Sequence, residues 1–403
     1  MEKTTTIAVD LAKSVFEVAV SEVPGRVSER KRLNRGGLAA FFANRPAAVV
    51  LMEACGSAHH WGRELEKLGH EVRLLPPTRT ARYRIGNKTD RADADAILEA
   101  NRNEKIHPVP VKTIPQQTLS TVHHLRHSWM ATRTARLNAL RGVMRELGVA
   151  IPVGAKAVLP QVAAAMAEGR VPEDLQPLLL ATAAEIRKLE ENVKESDLLL
   201  ARLARSIPVA GALREIPGIG PLGSTALIAA VGNPNRFRSG RKMSAFFGLV
   251  PREFSSGNKR RLGSITKRGN TYVRTLAIHG GRAVLVAAHR KKDPDRLHRW
   301  ALEVERRQGR NRTAVALATG IDLASRASNR SHSLMFSSSF RISAPVARRR
   351  GCRFSGTRPS AIASATCGRT AFAPTGMATP SSLITPRRAF RRDVRVPIHA
   401  CRR

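Results

Sequence analysis

One run of apolar residues constrains the fold of the first hundred residues more than any other feature. Residues 47–52 read Ala-Ala-Val-Val-Leu-Met, and Glu53 follows directly. A short, uniformly apolar run predicts a strand that is buried on both faces of a sheet. A carboxylate directly after such a strand is a poor choice for packing, so Glu53 is a candidate functional residue.

The segments around this run alternate between strand and helix patterns. We predict strands at residues 4–10, 14–20 and 71–75, and helices at residues 36–44, 59–68 and 90–103. The short link at residues 11–13 predicts a hairpin between the first two strands. Alternation of this kind predicts an α/β sheet domain in residues 1–105.

The rest of the chain is predicted to be mainly helical. Residues 116–147 and 173–207 carry apolar side chains at helical spacing, which predicts an antiparallel helical hairpin or coiled coil within residues 106–207. A dimerisation or spacer role would suffice for this part. The first helix also has a basic face, formed by Arg126, Arg133, Arg136, Arg141 and Arg145. Residues 208–318 predict a third, mainly α domain.

The chain carries a formal net charge of +38, which indicates a polyanionic partner, most often nucleic acid. Residues 319–403 hold 16 Arg, two Asp and neither Lys nor Glu, so +14 falls there and +24 on residues 1–318. The composition of this tail predicts disorder. It suits either a basic arm or a non-native end from a shifted reading frame, and Arg without Lys favours the second. We expect Thr319 and Gly320 to end the last helix.

Four carboxylates fall at positions that the predicted sheet brings near one another. Asp10 ends the first strand and Glu53 follows the apolar one, while Asp90 and Asp93 share one face at a helix start. Oxygen ligands on adjacent elements suit Mg²⁺, with Mn²⁺ as a substitute, and two such ions would support phosphodiester chemistry. Helix capping is the alternative role for Asp90 and Asp93. Asp95 points elsewhere around that helix.

The third block contains candidate DNA-binding residues. Residues 216–220 read Ile-Pro-Gly-Ile-Gly between two helical runs, as in a helix-hairpin-helix, where Gly218 and Gly220 would let the backbone approach a phosphate. An ordinary tight turn is the alternative. Basic loops follow, and their cations are further candidates for DNA contact: Arg238, Lys259, Arg260, Arg261, Lys267 and Arg268.

Seven short stretches of residues 1–318 together resemble a known family. They are Ile7–Lys13, Met52–Gly56, Lys88–Ala94, Ile216–Gly220, Phe247–Pro251, Ser256-Gly257 and Ile265–Asn270. Their order resembles the DEDD insertion-sequence transposases, which are bridge-RNA-guided recombinases. The resemblance implies a ribonuclease H or Holliday-junction-resolvase fold for residues 1–105. It also implies that Asp10, Glu53, Asp90 and Asp93 bind Mg²⁺.

The resemblance implies a second chemical centre and further partners. Ser256 would be a nucleophile that forms a covalent 5′-phosphoserine with DNA, whereas without the resemblance it would be taken for a turn residue. Ser255 is the neighbour that could be mistaken for it. A structured guide RNA would select the target, and the working form would be a homo-oligomer, a dimer or tetramer.

Several classes of protein are excluded or left open by the sequence. No apolar run reaches about 18 residues, which argues against a membrane span, and four Cys without a secretion signal favour a cytoplasmic protein. We expect no metal at His123, His124 and His127, because no Cys or carboxylate completes the set. The alternatives to a recombinase are a metal-dependent DNA junction nuclease without covalent serine and a non-catalytic nucleic-acid-binding protein.

Overall fold

The computed structural model describes residues 5–320 of the 403. The tail that the sequence assigns to residues 319–403 therefore lies outside the described residues, apart from its first two positions. The described part is a mixed α/β structure with a five-stranded sheet at its N-terminal end and helices elsewhere. None of the described helices combines the length and apolar character that a membrane span requires.

The five-stranded sheet contains the predicted apolar strand near its centre. The strands are β1 (Thr6–Asp10), β2 (Val15–Ser21), β3 (Glu29–Asn34), β4 (Val49–Glu53) and β5 (Glu71–Leu75). Their order in the sheet is β3-β2-β1-β4-β5. β1 pairs antiparallel with β2, and β2 with β3, whereas β4 lies parallel to both β1 and β5. The predicted hairpin is thus confirmed.

Both faces of β4 are buried, as its apolar run predicts. Val50 and Met52 belong to one hydrophobic core, and Val49 and Leu51 to a second core on the other face. Helices cover the two faces because each alternating set of apolar side chains needs a partner layer. These helices are α1 (Arg35–Ala43), α2 (Ala58–Lys67), α3 (Pro77–Thr80, continued by a 3₁₀ turn at Ala81–Tyr83) and α4 (Asp90–Asn101).

Two long helices form the predicted antiparallel hairpin, and a third short helix packs against them. They are α5 (Ile114–Glu146), α6 (Val158–Ala167) and α7 (Gln176–Ser206), with 3₁₀ turns at Ala155–Ala157 and Glu173–Leu175. Ion pairs cross from α5 to α7 in antiparallel register: Arg126 to Asp197, Arg133 to Glu190 and Arg136 to Glu185.

These ion pairs change the interpretation of the basic face of α5. Three of its five arginines are bound to carboxylates of α7, and Arg141 donates to the backbone oxygen of Gly154 at 2.8 Å. The basic face predicted from the sequence is therefore largely a contact between two helices of the same chain.

The last part of the described chain is a helical cluster with one small hairpin. Its elements are α8 (Pro208–Arg214), α9 (Pro221–Val231), a 3₁₀ turn (Pro234–Arg236), α10 (Gly240–Phe246), β6 (Pro251–Glu253), β7 (Leu262–Ile265), α11 (Thr271–Arg290), α12 (Arg296–Gln308) and α13 (310–320). Leu119 of α5 and Leu200 of α7 are buried in the same core as α9. The long helices thus connect this cluster to the rest of the chain.

The helix end expected at Thr319 and Gly320 stays a prediction, because residue 320 is the last one that the structure describes. Both residues are helical, and the Thr319 hydroxyl donates to the backbone oxygen of Val315 at 3.0 Å. A threonine that bonds back one turn is compatible with a helix. A single glycine lowers helix stability by about 1 kcal/mol without abolishing the helix.

Candidate active site

Asp10 and Glu53 lie at the same edge of the sheet because their strands are parallel neighbours. Val9 of β1 is in register with Met52 of β4, so each carboxylate follows at the carboxyl end of its strand. The Thr80 hydroxyl, at the end of α3, donates a hydrogen bond to Glu53 Oε1. Both carboxylates are partly buried. The sequence therefore places two acids at the carboxyl ends of neighbouring parallel strands, here called the acidic edge of the sheet. Polar ligands commonly bind at this end of an α/β sheet.

Asp90 and Asp93 occupy the first turn of α4, which packs against β1. The cap of this helix is Thr89, whose hydroxyl oxygen accepts from the Ala92 amide at 3.2 Å. Neither aspartate is needed as the cap. The Asp93 side chain is only 13% exposed and is bound to Arg84, whereas Asp90 is 63% exposed and lies 3.8 Å from Arg32 Nη2.

The other three carboxylates act electrostatically on Asp10. The pKa of Asp10 is raised to about 6, first by burial and then by the negative charges of Asp93, Asp90 and Glu53, while Arg84 lowers it. Like charges held close together raise a pKa in this way. The edge of the sheet thus holds more negative charge than Arg84 neutralises, which is the condition that a bound cation relieves.

The donor set fits a hard divalent cation in chemistry, although the side chains are not gathered around one point. No three His, Cys, Asp or Glu side chains in residues 5–320 are arranged to hold a metal ion. Asp93 is bound to Arg84 and Glu53 to Thr80 instead. Four carboxylates provide only oxygen ligands, as Mg²⁺ and Mn²⁺ prefer. Shared binding would require Asp93 to exchange the guanidinium for the ion.

Asp95, the rival to Asp93, faces away from this cluster. It is bound to Arg30 at 2.6 Å, on the other side of α4. Thr80 and Arg84 are the two residues of the acidic edge that sequence reasoning missed. Their only signal is position, because the segment that joins β5 to α4 must pass the carboxyl edge of the sheet.

Ser256 lies near the tip of an antiparallel hairpin. Beyond the paired strands β6 and β7, Ser256 and Lys259 exchange backbone hydrogen bonds of 3.3 and 3.2 Å. Gly257 and Asn258 form the two-residue turn, and the φ of +55° at Gly257 explains why the first turn position is glycine. The glycine-flanked loop of the sequence is therefore an ordered hairpin.

The two adjacent serines differ in their surroundings. The Ser255 hydroxyl donates to Glu253 Oε1 at 2.8 Å and accepts from the Arg261 amide at 3.2 Å. Ser256 is exposed, and no residue of the described chain hydrogen-bonds to its hydroxyl. Of the two, Ser256 has the hydroxyl that is available to another molecule.

The base of this hairpin is held by two interlocked turns. A Cβ on Gly248 would collide with the backbone of Arg268, and a Cβ on Gly269 with the backbone of Phe246. The buried Arg274 side chain donates to the backbone oxygens of Phe247 at 2.9 Å and Arg268 at 3.3 Å. These contacts explain why positions 248 and 269 are glycines, and they fix the hairpin on the helical cluster.

The residues predicted to contact DNA are on the surface of this cluster, with one exception. Gly218 is partly buried with φ +91°, and its carbonyl oxygen packs against α11 at Gly280, where no Cβ fits. Gly220 is exposed at the start of α9. Gly218 is therefore in close contact with α11, whereas a Cβ at Gly220 would meet no neighbour within 4 Å. The exposed cations are Arg238, Lys259, Arg260, Arg261, Lys267 and Arg268.

Two family models match the chain. A transposase model of the DEDD, IS110 type matches residues 7–148, and a model described as the transposase IS116/IS110/IS902 family matches residues 210–298. The first match includes all four acids, and the second includes Ser256.

Known transposases resemble the chain over most of its length. A probable family 20 transposase of Pseudomonas aeruginosa is 39% identical over 320 residues, which are 77% of this chain and 93% of that protein. The transposase for insertion sequence element IS1111A of Coxiella burnetii is 36% identical over 79% of this chain and 87% of its own length. The transposase for IS1328 of Yersinia enterocolitica is 32% identical, over 79% and 94%.

The chain therefore belongs to the IS116/IS110/IS902 family of insertion-sequence transposases. Transposases bind DNA, cut it and rejoin it, and the DEDD match indicates dependence on a divalent metal. The family assignment agrees with the resemblance found in the sequence.

Proposed function

We propose that this transposase cuts and rejoins DNA with two chemical centres, the DEDD carboxylates and Ser256. The observation that carries the proposal is the acidic edge of the sheet, where burial and three other carboxylates raise the pKa of Asp10 within a strongly basic chain. Charge repulsion of this size is retained in proteins mainly where function requires it. The strand order and its single parallel-to-antiparallel change support a ribonuclease H or resolvase-like domain.

Asp10, Glu53, Asp90 and Asp93 would hold Mg²⁺, or Mn²⁺ in its place. Bound there, the ion would supply Lewis-acid stabilisation of the negative charge that develops on the scissile phosphate. Thr80 orients Glu53 through its hydroxyl, and Arg84 balances the charge of Asp93 until the cation replaces it. The acids therefore bind and orient, and Arg84 keeps the unloaded edge from being more strongly repulsive.

Ser256 would attack the phosphodiester. Its oxygen forms a bond to phosphorus, the bond to the 3′-oxygen breaks, and the DNA is left with a 5′-phosphoserine and a free 3′-hydroxyl, which takes up the proton. Lys259, Arg260 and Arg261 lie on the same hairpin and would stabilise the charged phosphorus centre. A serine needs a base for this step, and a carboxylate of the DEDD edge, from this or another subunit, would supply it.

A guide RNA and a homo-oligomer, a dimer or tetramer, complete the proposal and rest on the family resemblance. The exposed cations of the last helical cluster would contact nucleic acid there. The three-part division at residues 105, 207 and 318 remains a prediction as well.

A metal-dependent nuclease without covalent serine is the second candidate. It is favoured by one observation: within the described residues, no side chain forms a hydrogen bond with the Ser256 hydroxyl that would activate it as a nucleophile. A non-catalytic nucleic-acid-binding protein would need neither centre.

The test is a covalent trap on 3′-end-labelled DNA that carries the ends of the element, with its transcribed RNA, analysed on denaturing protein gels. We expect a labelled adduct with wild-type protein and with Ser255→Ala, the matched control, but none with Ser256→Ala or Asp10→Ala. Cleavage that survives Ser256→Ala and is lost in Asp10→Ala would favour the nuclease. Intact DNA binding without any strand breakage in wild type would leave only the binding protein.

A further inference from the structure

A cavity of about 240 Å³ lies between α5, α9 and the beginning of α11. Its lining includes none of the four acids and no residue of the hairpin at 251–265 that carries Ser256, here called the serine hairpin. Its volume equals that of about eight liquid water molecules. The lining contains cationic and neutral polar side chains and no Asp or Glu. The polar side chains that matter here are Lys112, Ser120, His123, His124, His127 and Tyr272.

Lys112 is held at the wall of this cavity without a counter-ion. Its backbone amide donates to His59 Nδ1 at 3.1 Å, and its ammonium donates to Ser120 Oγ at 3.2 Å. The residue is half-buried, and burial lowers its pKa. No described carboxylate forms an ion pair with it. A partly desolvated ammonium whose only side-chain partner is a hydroxyl can still accept an anion as its partner.

The part of the lining that α5 and α11 form is held by side-chain contacts and contains no Asp or Glu. The His123 ring lies 3.0 Å from both the Tyr272 hydroxyl and Thr225 Oγ1, and His127 packs edge-on against the Tyr272 ring. Asp197 is the acid that acts on this network, and it is already bound to Arg126. The positive charge of Lys112 is therefore not neutralised from this side.

We propose that this cavity binds a phosphate group, with Lys112 as its cationic partner and His124 and His127 as hydrogen-bond donors. Phosphate suits the site because its several oxygens can accept hydrogen bonds from more than one of these donors. The group is either free phosphate or a phosphodiester of a nucleic acid, since the chemistry recognised is the same. The inference does not depend on the DEDD acids or on Ser256.

The test is isothermal titration of the full-length protein with inorganic phosphate at constant ionic strength set by chloride. We expect saturable binding in wild type, weakened about tenfold or more in Lys112→Met, because a charged hydrogen bond is lost. Lys156→Met removes an exposed lysine elsewhere and should retain the wild-type affinity. His127→Gln, which spares the lysine, should weaken binding about threefold or more.

Two results would overturn the proposal: no saturable phosphate binding in wild type, or equal affinity in Lys112→Met and Lys156→Met. Circular dichroism confirms that each variant is folded, and His127→Gln carries the test if Lys112→Met is not.

A second arm identifies the source of the phosphate. The affinity of the same proteins for a labelled DNA duplex is measured with and without inorganic phosphate. Weaker DNA binding by Lys112→Met than by Lys156→Met, together with competition by phosphate, assigns a phosphodiester. Equal DNA affinities, with phosphate binding lost in Lys112→Met, assign free phosphate.

Discussion

The Asp10 carboxylate should make the metal-free protein less stable than it would be with a neutral side chain at this position. Its pKa rises from an ordinary value of 3.8 to about 6, which corresponds to about 3 kcal/mol between the two protonation states. Because the side chain is only partly buried, solvent screening reduces this figure to about 1–2 kcal/mol. Asp10→Asn removes the charge and keeps the shape.

The direction of the pKa shift determines how the free energy of unfolding changes with pH. A raised pKa means that the folded state holds the proton more tightly, so the cost is absent below about pH 4 and complete above about pH 6. We expect Asp10→Asn to raise the free energy of unfolding by about 1–2 kcal/mol at pH 7.5 in EDTA, and to give little change at pH 4. Urea unfolding followed by circular dichroism measures both values.

Asp95→Asn is the matched control, because Asp95 lies on α4 but is bound to Arg30 at 2.6 Å. Its substitution should bring no gain at pH 7.5. Addition of Mg²⁺ should stabilise wild type more than Asp10→Asn, since the ion relieves the repulsion that the substitution has already removed. Lower stability of Asp10→Asn at pH 7.5, or a gain of equal size at pH 4, would refute the reasoning.

Two pairs of substitutions, each with its control, probe the packing of Gly280 and the titration of His123. Gly280→Ala should destabilise by about 1–3 kcal/mol, because its methyl group would collide with the Gly218 carbonyl, whereas Gly211→Ala, on the open face of α8, should stabilise by up to about 1 kcal/mol in the same urea unfolding assay. The pKa of His123 is lowered to about 4, mainly by burial, so as pH falls from about 6.5 to 4 wild type should lose about 3 kcal/mol more stability than His123→Gln. His279 is exposed, so His279→Gln is the control and should lose as much free energy of unfolding as wild type over that pH range. An equal loss in all three proteins would contradict the buried, neutral state of His123.

Predictions from the sequence succeeded where burial and local signals agree. The apolar run before Glu53 has one physical solution in a sheet, a strand covered on both faces, and β4 is that strand. The helix that begins at Asp90 has a threonine cap directly before it. In these places the local pattern and the packing require the same structure.

Two of the elements that the sequence did not predict, β3 and α6, were missed for different reasons. β3 reads Glu-Arg-Lys-Arg-Leu-Asn, and its polar composition suits an edge strand that is protected from further pairing but gives no strand pattern. α6 is a short apolar helix whose hydrophobic side chains fill the space between α5 and α7. This helix is stabilised by packing between two longer helices. Such tertiary packing cannot be predicted from the local sequence pattern.

The candidate site was predictable in its residues but not in its contacts. Asp10, Glu53, Asp90 and Asp93 follow from strand ends and a helix start. Parallel pairing brings Asp10 and Glu53 together, and the first turn of α4 adds Asp90 and Asp93. The bonds from Arg84 to Asp93 and from Thr80 to Glu53 arise from the path of a connecting segment. Side chains of loops reach their partners through tertiary structure, so their spacing in the sequence carries no signal.

The sequence alone does not predict which cations are exposed and which are paired within the chain. The sequence places five arginines on one face of α5, yet three are bound to carboxylates of α7 and contribute little to an external field. The cations of the serine hairpin and of the turn at its base are exposed, and the nearest carboxylate, Glu253, lies 3.8 Å from Arg260. A group of exposed cations therefore lies on the hairpin that carries Ser256, while Asp10, Glu53, Asp90 and Asp93 form a group of acids at the carboxyl ends of β1 and β4. A phosphodiester attracted to the hairpin would be repelled by the acids unless a cation stood between them. If the four acids and Ser256 act on one DNA substrate, as proposed, a metal ion must therefore occupy the acidic site.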